Sequence, residues 1–286
     1  MIWTKEAPAK VNLALDILGK REDGYHDMKM VMQTVSLSDT VRVETKADGF
    51  SLQMEGFSPP EGKKTLEQRA AEAFFAHIER PVPGLAVSVE KRTPAYGGMG
   101  GGSADVAALL RILRDAYAPD LSGEVLEQIG FTVGSDMPFC VRGGTALAEG
   151  RGERLTDLAP LPECTFVVCK PDFGIPTPEL FAAVDGTELT KRPDIDGMTA
   201  ALAAGDLQGV AARLFNVFEE ALPSQYHEVF VIKQRMKDLG ALNALMSGSG
   251  PSVFAIFEKA HLAEQAAETL KKTYEQTWIA KPVKKF

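Results

Sequence analysis

The chain has 286 residues, 45% apolar and 24% charged, values near the globular average that exclude a disordered or fibrous chain and leave room for one large domain or two ordinary ones. Lys and Arg number 31 against 39 Asp and Glu, a net charge of −8. The long-range attraction behind most nucleic-acid and anionic-membrane binding is therefore missing, and a small-molecule partner is expected. No apolar run reaches the roughly 18 residues of a membrane span, and MIWTKEAPAK lacks a signal peptide's apolar stretch, so the expected location is the cytoplasm. Cys140, Cys164 and Cys169 sit in apolar stretches without CxxC spacing and read as buried free thiols.

In chain order, the first 55 or so residues read as strands: VNLALDIL, MVMQTVSL and TVRVET alternate, with the polar loop GKREDGYHD between the first two. Residues 65–79 suit an amphipathic helix, and 85–92 alternate again as a strand. TPAYGGMGGG then leads into SADVAALLRILRDAY, a strong helix. A second helix near 123–129 precedes FTVGSDMPFCVRGGTALAEGRGERL, which reads as short strands with tight glycine turns, and 164–171 reads as a buried strand. Glycine, proline and charge gather at 150–163, which places the domain boundary there and gives domains of 1–155 and 156–286. Beyond it come helices at 178–184, 198–204, 206–221 and 225–239, strands at 242–246 and 252–257 around the turn SGSGP, a helix at 260–273 and a last strand near 277–283. The expected class is α+β.

Glycine supplies 26 residues, and five of them fall in the six positions Gly97 to Gly102. Such a cluster reads as a hinge, as a close helix–strand contact, or as a phosphate cradle, in which backbone N–H groups and a helix N-terminus face an anion. Five glycines running into Ser103 and a long helix exceed what a hinge requires, which favours the cradle. Neither GxxxxGK[ST] nor a strict GxGxxG occurs, since position 103 is serine, and Asp172-Phe173-Gly174 lacks the companion motifs that give such a triplet meaning. His77, His227 and His261 are isolated and form no metal-ligand pattern.

Three separated segments, PAKVNLAL (8–15), PAYGGMGGGSADVAA (94–108) and MSGSGPSVF (246–254), resemble the three motifs of the GHMP kinases, the group that includes galactokinase, homoserine kinase and mevalonate kinase. Within that group, PAKVNLALDILGKREDGYHDMKMVMQTVSLSD, GSDMPFCVRGGTALAEGRGE and GMTAAL resemble the branch that acts on a cytidine-diphosphate-linked methylerythritol. The resemblance implies two domains, an N-terminal one like ribosomal protein S5 domain 2 and a ferredoxin-like C-terminal one. It also implies ATP as donor, accompanied by Mg2+, and transfer to the substrate's 2-hydroxyl in non-mevalonate isoprenoid synthesis.

Carried over residue by residue, the resemblance makes Lys10 and Asp136 catalytic. Pro94, Gly97, Gly98, Met99, Gly100, Gly101, Gly102 and Ser103 become the ATP loop. Tyr25 and Phe181 fall on the cytosine faces, His26 at its edge, and Asn12 and Thr177 near the substrate. From local sequence alone, Lys10 reads equally as a strand-edge lysine and Asp136 as an Asx turn before Pro138. Ser103 and Asp105 are weak candidates for the metal, whose ligands stay open. The chain departs from the pattern at Ala104, where a second serine is common, at Thr65-Leu66-Glu67, which replaces an asparagine-leucine segment, and at Met99, which replaces leucine. A GHMP kinase of other substrate, or a catalytically silent metabolite-binding regulator, also fits. The expected assembly is a monomer or weak homodimer.

Overall fold

A computed structural model describes residues 1–55 and 62–286. In chain order the elements are β1 (Ile2–Lys20), β2 (His26–Lys46), β3 (Phe50–Met54), α1 (Leu66–His77), β4 (Gly84–Glu90), α2 (Gly101–Tyr117), α3 (Gly123–Phe131) and α4 (Met137–Arg142). They continue with β5 (Thr145–Gly150), β6 (Arg154–Asp157), β7 (Thr165–Cys169), α5 (Thr177–Asp185), α6 (Ile195–Ala203), α7 (Leu207–Ala212), β8 (Phe215–Asn216), α8 (Glu228–Asp238), β9 (Asn243–Met246), β10 (Val253–Phe257), α9 (Ala260–Lys271) and β11 (Thr277–Ala280). Two compact units share these elements: residues 1–9, 38–93 and 100–142 form the first, and 10–37, 94–99 and 143–286 the second.

In the first unit the outer part of β2 runs antiparallel to β4, with Val41 opposite Val89 and Val43 opposite Val87, and β3 lies parallel to β4 on its other side. Val41 and Val43 are buried between exposed Arg42 and Glu44, the period-2 pattern of a strand with one wet face. Helices α1 to α4 pack together over a core that includes Phe74, Phe75, Val87, Leu109, Leu113, Leu126 and Ile129. Thr65 caps α1, its hydroxyl accepting from Gln68 N at 3.2 Å, a common role for threonine at a helix start. Ala104 is 1% exposed within this core, so its methyl group fills packing space. The segment MPFCVR, read from sequence among short strands, is helix α4. Met137, Pro138, Phe139, Cys140 and Val141 are consecutive and buried, and a fully buried short helix carries no amphipathic period to reveal it.

In the second unit the inner part of β2 pairs antiparallel with β5, β6 pairs with β5, and β8 lies parallel to β1. A second sheet has the order β11-β7-β10-β9, every pair antiparallel. With α8 and α9 packed on it, this is strand, helix, strand, strand, helix, strand, the split arrangement of a ferredoxin-like fold. Strands β7 and β10, TFVVC and VFAIF, are buried at every position, which explains their continuous apolar runs. The helix expected over 206–221 stops at Ala212 and gives way to β8 and a short 3-10 turn, where Asn216 accepts from Phe218 N at 3.1 Å. Cys140, Cys164 and Cys169 are buried and form no disulfide, and burial pushes the Cys164 thiol up to about 12 and that of Cys169 up to about 11. Among the described residues no helix is long and apolar enough to cross a membrane.

Candidate active site

Lys10 and Asn12 lie on β1 with side chains on one face, as a spacing of two residues requires. Both are buried, at 4% and 0% exposure. The Lys10 ammonium donates to Asn12 Oδ1 at 2.8 Å and to the Gly98 carbonyl at 3.3 Å, and Asn12 Nδ2 approaches the Met30 sulfur at 3.4 Å. The backbone repeats this attachment, Lys10 N donating to Met99 O at 2.9 Å. The first part of the glycine loop is thus fastened to β1.

The SGSGP turn closes on the same place. Ser247 Oγ donates to Gly98 O at 3.1 Å, and Ser252 N donates to Gly97 O at 3.3 Å. Two glycines are required here. A Cβ on Gly98, whose φ is +73°, would lie 2.1 Å from Ser247 O. A Cβ on Gly248, whose φ is +55°, would lie 2.8 Å from Gly98 O and 3.3 Å from both Asn12 Oδ1 and Lys10 Nζ. Glycine therefore serves close approach as well as backbone angle. Asn216, buried on β8, holds the turn from behind by donating to Met246 O and Gly248 O, each at 2.8 Å.

The rest of the loop enters α2. Gly100 is the N-cap, left-handed at φ +67° and without a side-chain cap, and the first bond back to it comes from Ala104 N at 2.8 Å. The amides of Gly101, Gly102 and Ser103 are left without helical acceptors, as at any helix start, and the space around the Gly102 Cα is open. A 17-residue helix behind them adds a partial positive charge of about half an electron. The arrangement suits an anion.

Beneath this helix start lies a group of which the sequence pattern singled out only Asp105. Asp39, on the buried face of the alternating part of β2 and 0% exposed, accepts from Arg92 N at 2.6 Å, Thr93 N at 2.7 Å, Thr93 Oγ1 at 2.5 Å and the Lys91 ammonium. Lys91 also donates to Asp105 Oδ2 at 2.8 Å, and Asp105 is 0% exposed. Burial works to raise Asp39, but the bonds from Lys91 and Thr93 outweigh it and hold this carboxyl below the usual range. Burial pushes Asp105 up to about 8 against the pull of Lys91, and the neighbouring Asp39 charge adds to the rise. Two carboxyl groups therefore share one ammonium, and burial favours the protonated form of Asp105. A carboxyl so enclosed, with Lys91 on Oδ2, does not fit a magnesium ligand. Ser103, half-buried in the first turn of α2, is the remaining candidate named above. No cluster of three or more His, Cys, Asp or Glu suited to a metal occurs among the described residues.

Asp136 is half-buried in the turn before α4, where its carbonyl accepts from Cys140 N at 3.1 Å. Thr177 opens α5, exposed, with its hydroxyl 2.9 Å from that of Ser249. Pro94, Gly97 and Met99 are buried.

His26 and Phe181 come together. Their rings stack at 4.6 Å and 20°, and Phe181 meets Phe218 edge-on at 5.1 Å. The Nε2 of His26 bonds to Asp185 Oδ1 at 2.7 Å, and Lys20 donates to Oδ2 of the same carboxylate at 2.8 Å. Lys20 and then His26 hold Asp185 below the usual carboxylate range. Tyr25, in the turn preceding His26, is 52% exposed and carries the Arg151 guanidinium 3.6 Å over its ring. Asp185, Lys20 and Arg151 were not among the residues expected from sequence. Asp185 stands four residues after Phe181 on α5, a spacing that puts a ring and an acid on one helix face and was a readable signal.

The family models agree with these features. "GHMP kinases N terminal domain" matches residues 65–144 and "GHMP kinases C terminal" matches 198–276. A protein of Pelotomaculum thermopropionicum named 4-diphosphocytidyl-2-C-methyl-D-erythritol kinase is 41% identical over 282 residues, 98% of each chain. One of the same name from Clostridium acetobutylicum is 36% identical over 278 residues, 97% of this chain and 99% of its own. The chain belongs to the GHMP kinases. A crystal structure of 4-(cytidine 5'-diphospho)-2C-methyl-D-erythritol kinase superposes on this GHMP kinase with a TM-score of 0.81 at 34% identity, covering 98% of this chain and 99% of the other. Homoserine kinase from Cytophaga hutchinsonii, at 17% identity and a TM-score of 0.75, shares the fold. The two-domain α+β architecture, with its S5-like N-terminal and ferredoxin-like C-terminal parts, is that of the family, and GHMP kinases use ATP.

Proposed function

We propose that this GHMP kinase transfers the γ-phosphoryl of ATP to the 2-hydroxyl of 4-(cytidine 5'-diphospho)-2-C-methyl-D-erythritol. The observation that carries the reading is the likeness, over nearly the whole length of both chains, to kinases bearing that substrate's name. In this reading residues 1–155 and 156–286 are the two family domains. The Gly97–Gly102 loop, Ser103 and the first amides of α2 hold the triphosphate, with Pro94 and Met99 buried as its support. Phosphoryl transfer demands a held donor, an oriented hydroxyl and charge compensation, with little covalent work for the protein. Asp136 accepts the hydroxyl proton, and the Lys10 ammonium lies against the developing charge on the oxygen and phosphoryl group. Magnesium, when bound with ATP, supplies further compensation on the phosphates, and Ser103 would be its protein contact. Tyr25, His26 and Phe181 read the cytosine, with Asn12 and Thr177 near the sugar-alcohol.

The reading also places the enzyme in the cytoplasm, acting on small molecules alone, as a monomer or weak homodimer. The test is ADP release with the cytidyl substrate, against mevalonate, homoserine and galactose as controls. Turnover of the first alone is expected. Turnover of a control instead would assign another substrate, and no turnover with any would leave a metabolite-binding regulator on this fold.

A further inference from the structure

We propose that Asp185 is the positioning residue of base recognition: by accepting the Nε2 proton it holds His26 against Phe181 and leaves Nδ1 as an acceptor toward the base. The proposal rests on the cytidyl reading above for its ligand, though not for its chemistry. Each oxygen of the carboxylate has one defined partner, Oδ1 with His26 at 2.7 Å and Oδ2 with Lys20 at 2.8 Å. The lysine therefore sets the rotation of the carboxylate, and the carboxylate sets the imidazole. Phe181 and Asp185 come from one face of α5, so a single rigid helix supplies both the ring His26 stacks on and the acid it bonds to.

A plain packing role would end there, but a bond to one imidazole nitrogen decides what the other can do. With the proton on Nε2, neutral His26 offers Nδ1 as an acceptor. Cytosine presents an N4 amino donor at the position where uracil presents a carbonyl acceptor, so an acceptor on the protein selects the amino-bearing pyrimidine. A site built to bond a substrate N–H rejects analogues without it far better than an apolar pocket rejects a missing methylene. His26 is 8% exposed, so a mismatched base leaves its nitrogen unpaired in a dry place, where the penalty is largest.

The experiment compares wild type, Asp185→Ala and Asp185→Asn with the cytidyl substrate and its uridyl analogue. In Asp185→Ala, KM for the cytidyl substrate is expected to rise about tenfold, the loss of one charge-assisted bond. The cytidyl-over-uridyl preference should fall by a similar factor while KM for ATP is unchanged. Asp185→Asn keeps an oxygen that accepts from Nε2 and should retain most of the preference. An undiminished preference in Asp185→Ala, or an equal loss for both pyrimidines and ATP, overturns the proposal. Two-bond 1H–15N spectra of the imidazole are the independent arm: Nε2–H is expected for His26 in wild type and a tautomer mixture in Asp185→Ala. An Nδ1–H tautomer in wild type overturns the proposal whatever the substrate. Failure of wild type to turn over the cytidyl compound removes the functional reading instead, and the tautomer then decides the role of Asp185.

Discussion

The chain contains two lysine-carboxylate groups of similar makeup and opposite character. In the first, Lys91 lies between Asp39 and Asp105, both at 0% exposure, and every partner belongs to the scaffold under α2. In the second, Lys20 and His26 flank Asp185, whose side chain is 31% exposed, and the half-exposed Tyr25 precedes His26 in the chain. Here the carboxyls are fully enclosed and only the Lys91 side chain, 21% exposed, reaches solvent; such a group holds strands and helices in register, because removing the lysine strands the carboxyls in a dry interior. Charge pairs at an aromatic surface have a face to offer a ligand. Enclosure of the carboxylate, 0% exposed in Asp39 and Asp105 against 31% in Asp185, distinguishes a fastening from a reader more sharply than residue type does.

The largest effect expected from this contrast is Lys91→Met, which leaves two buried carboxyls sharing no cation and should cost about 3–5 kcal/mol in denaturant unfolding. Combining it with Asp39→Asn and Asp105→Asn should recover part of that loss. A Lys91→Met protein as stable as wild type would break the distinction. Lys10 tests it from the other side. At 4% exposure it is more enclosed than Lys91, whose side chain is 21% exposed, yet it lies where the two glycine turns meet. Lys10→Met is expected to lower kcat at least ~10²-fold, about 2.7 kcal/mol of barrier, with a far smaller loss of stability than Lys91→Met. Asp136→Asn should behave alike. A large fall in melting temperature with kcat retained would return Lys10 to the scaffold.

Much of this was legible in the sequence, for reasons the structure makes plain. Alternation in TVRVET and the continuous runs TFVVC and VFAIF declare their burial directly, and the 97–102 glycines declare close approach before its target is known. The target was not legible: that Gly98 faces Ser247 and Gly248 depends on a contact about 150 residues distant, which no local pattern encodes. The Lys91 cluster was hidden for the same reason, since Asp39, Lys91, Thr93 and Asp105 come from three segments and nothing local joins them. Asp105 shows the cost of reading locally. Near a phosphate loop an acid suggests a metal ligand, whereas burial and Lys91 give it another task.

The enclosed group also has a pH signature that the open one lacks. Asp105 is pushed up to about 8 in the folded chain, against an unfolded value near 4. Between those values the folded state holds a proton that the unfolded state has released. Stability contributed by this group is therefore full below about pH 4 and declines as pH rises toward 8, by at most ~1.4 kcal/mol per pH unit. Asp39, held below its usual value, acts in the opposite sense and only in acid. Asp105→Asn should remove the decline between pH 4 and 8, so the variant gains on wild type as pH rises. Parallel profiles in unfolding titrations would place the proton elsewhere.

The smallest effect belongs to the open group. His26→Ala deletes a side chain stacked on Phe181 and bonded to Asp185, but both partners have other contacts, Phe218 for the ring and Lys20 for the acid. The scaffold should survive with a melting temperature close to wild type. What is lost is one face of a binding surface, so KM for the cytidyl substrate should rise by about tenfold while KM for ATP stays put, the mark of an interaction made equally in ground and transition states. A fall in kcat with KM unchanged would place His26 on the reaction coordinate. An equal rise in both KM values would mean that the ring cluster, like Lys91, holds the fold together and reads no base.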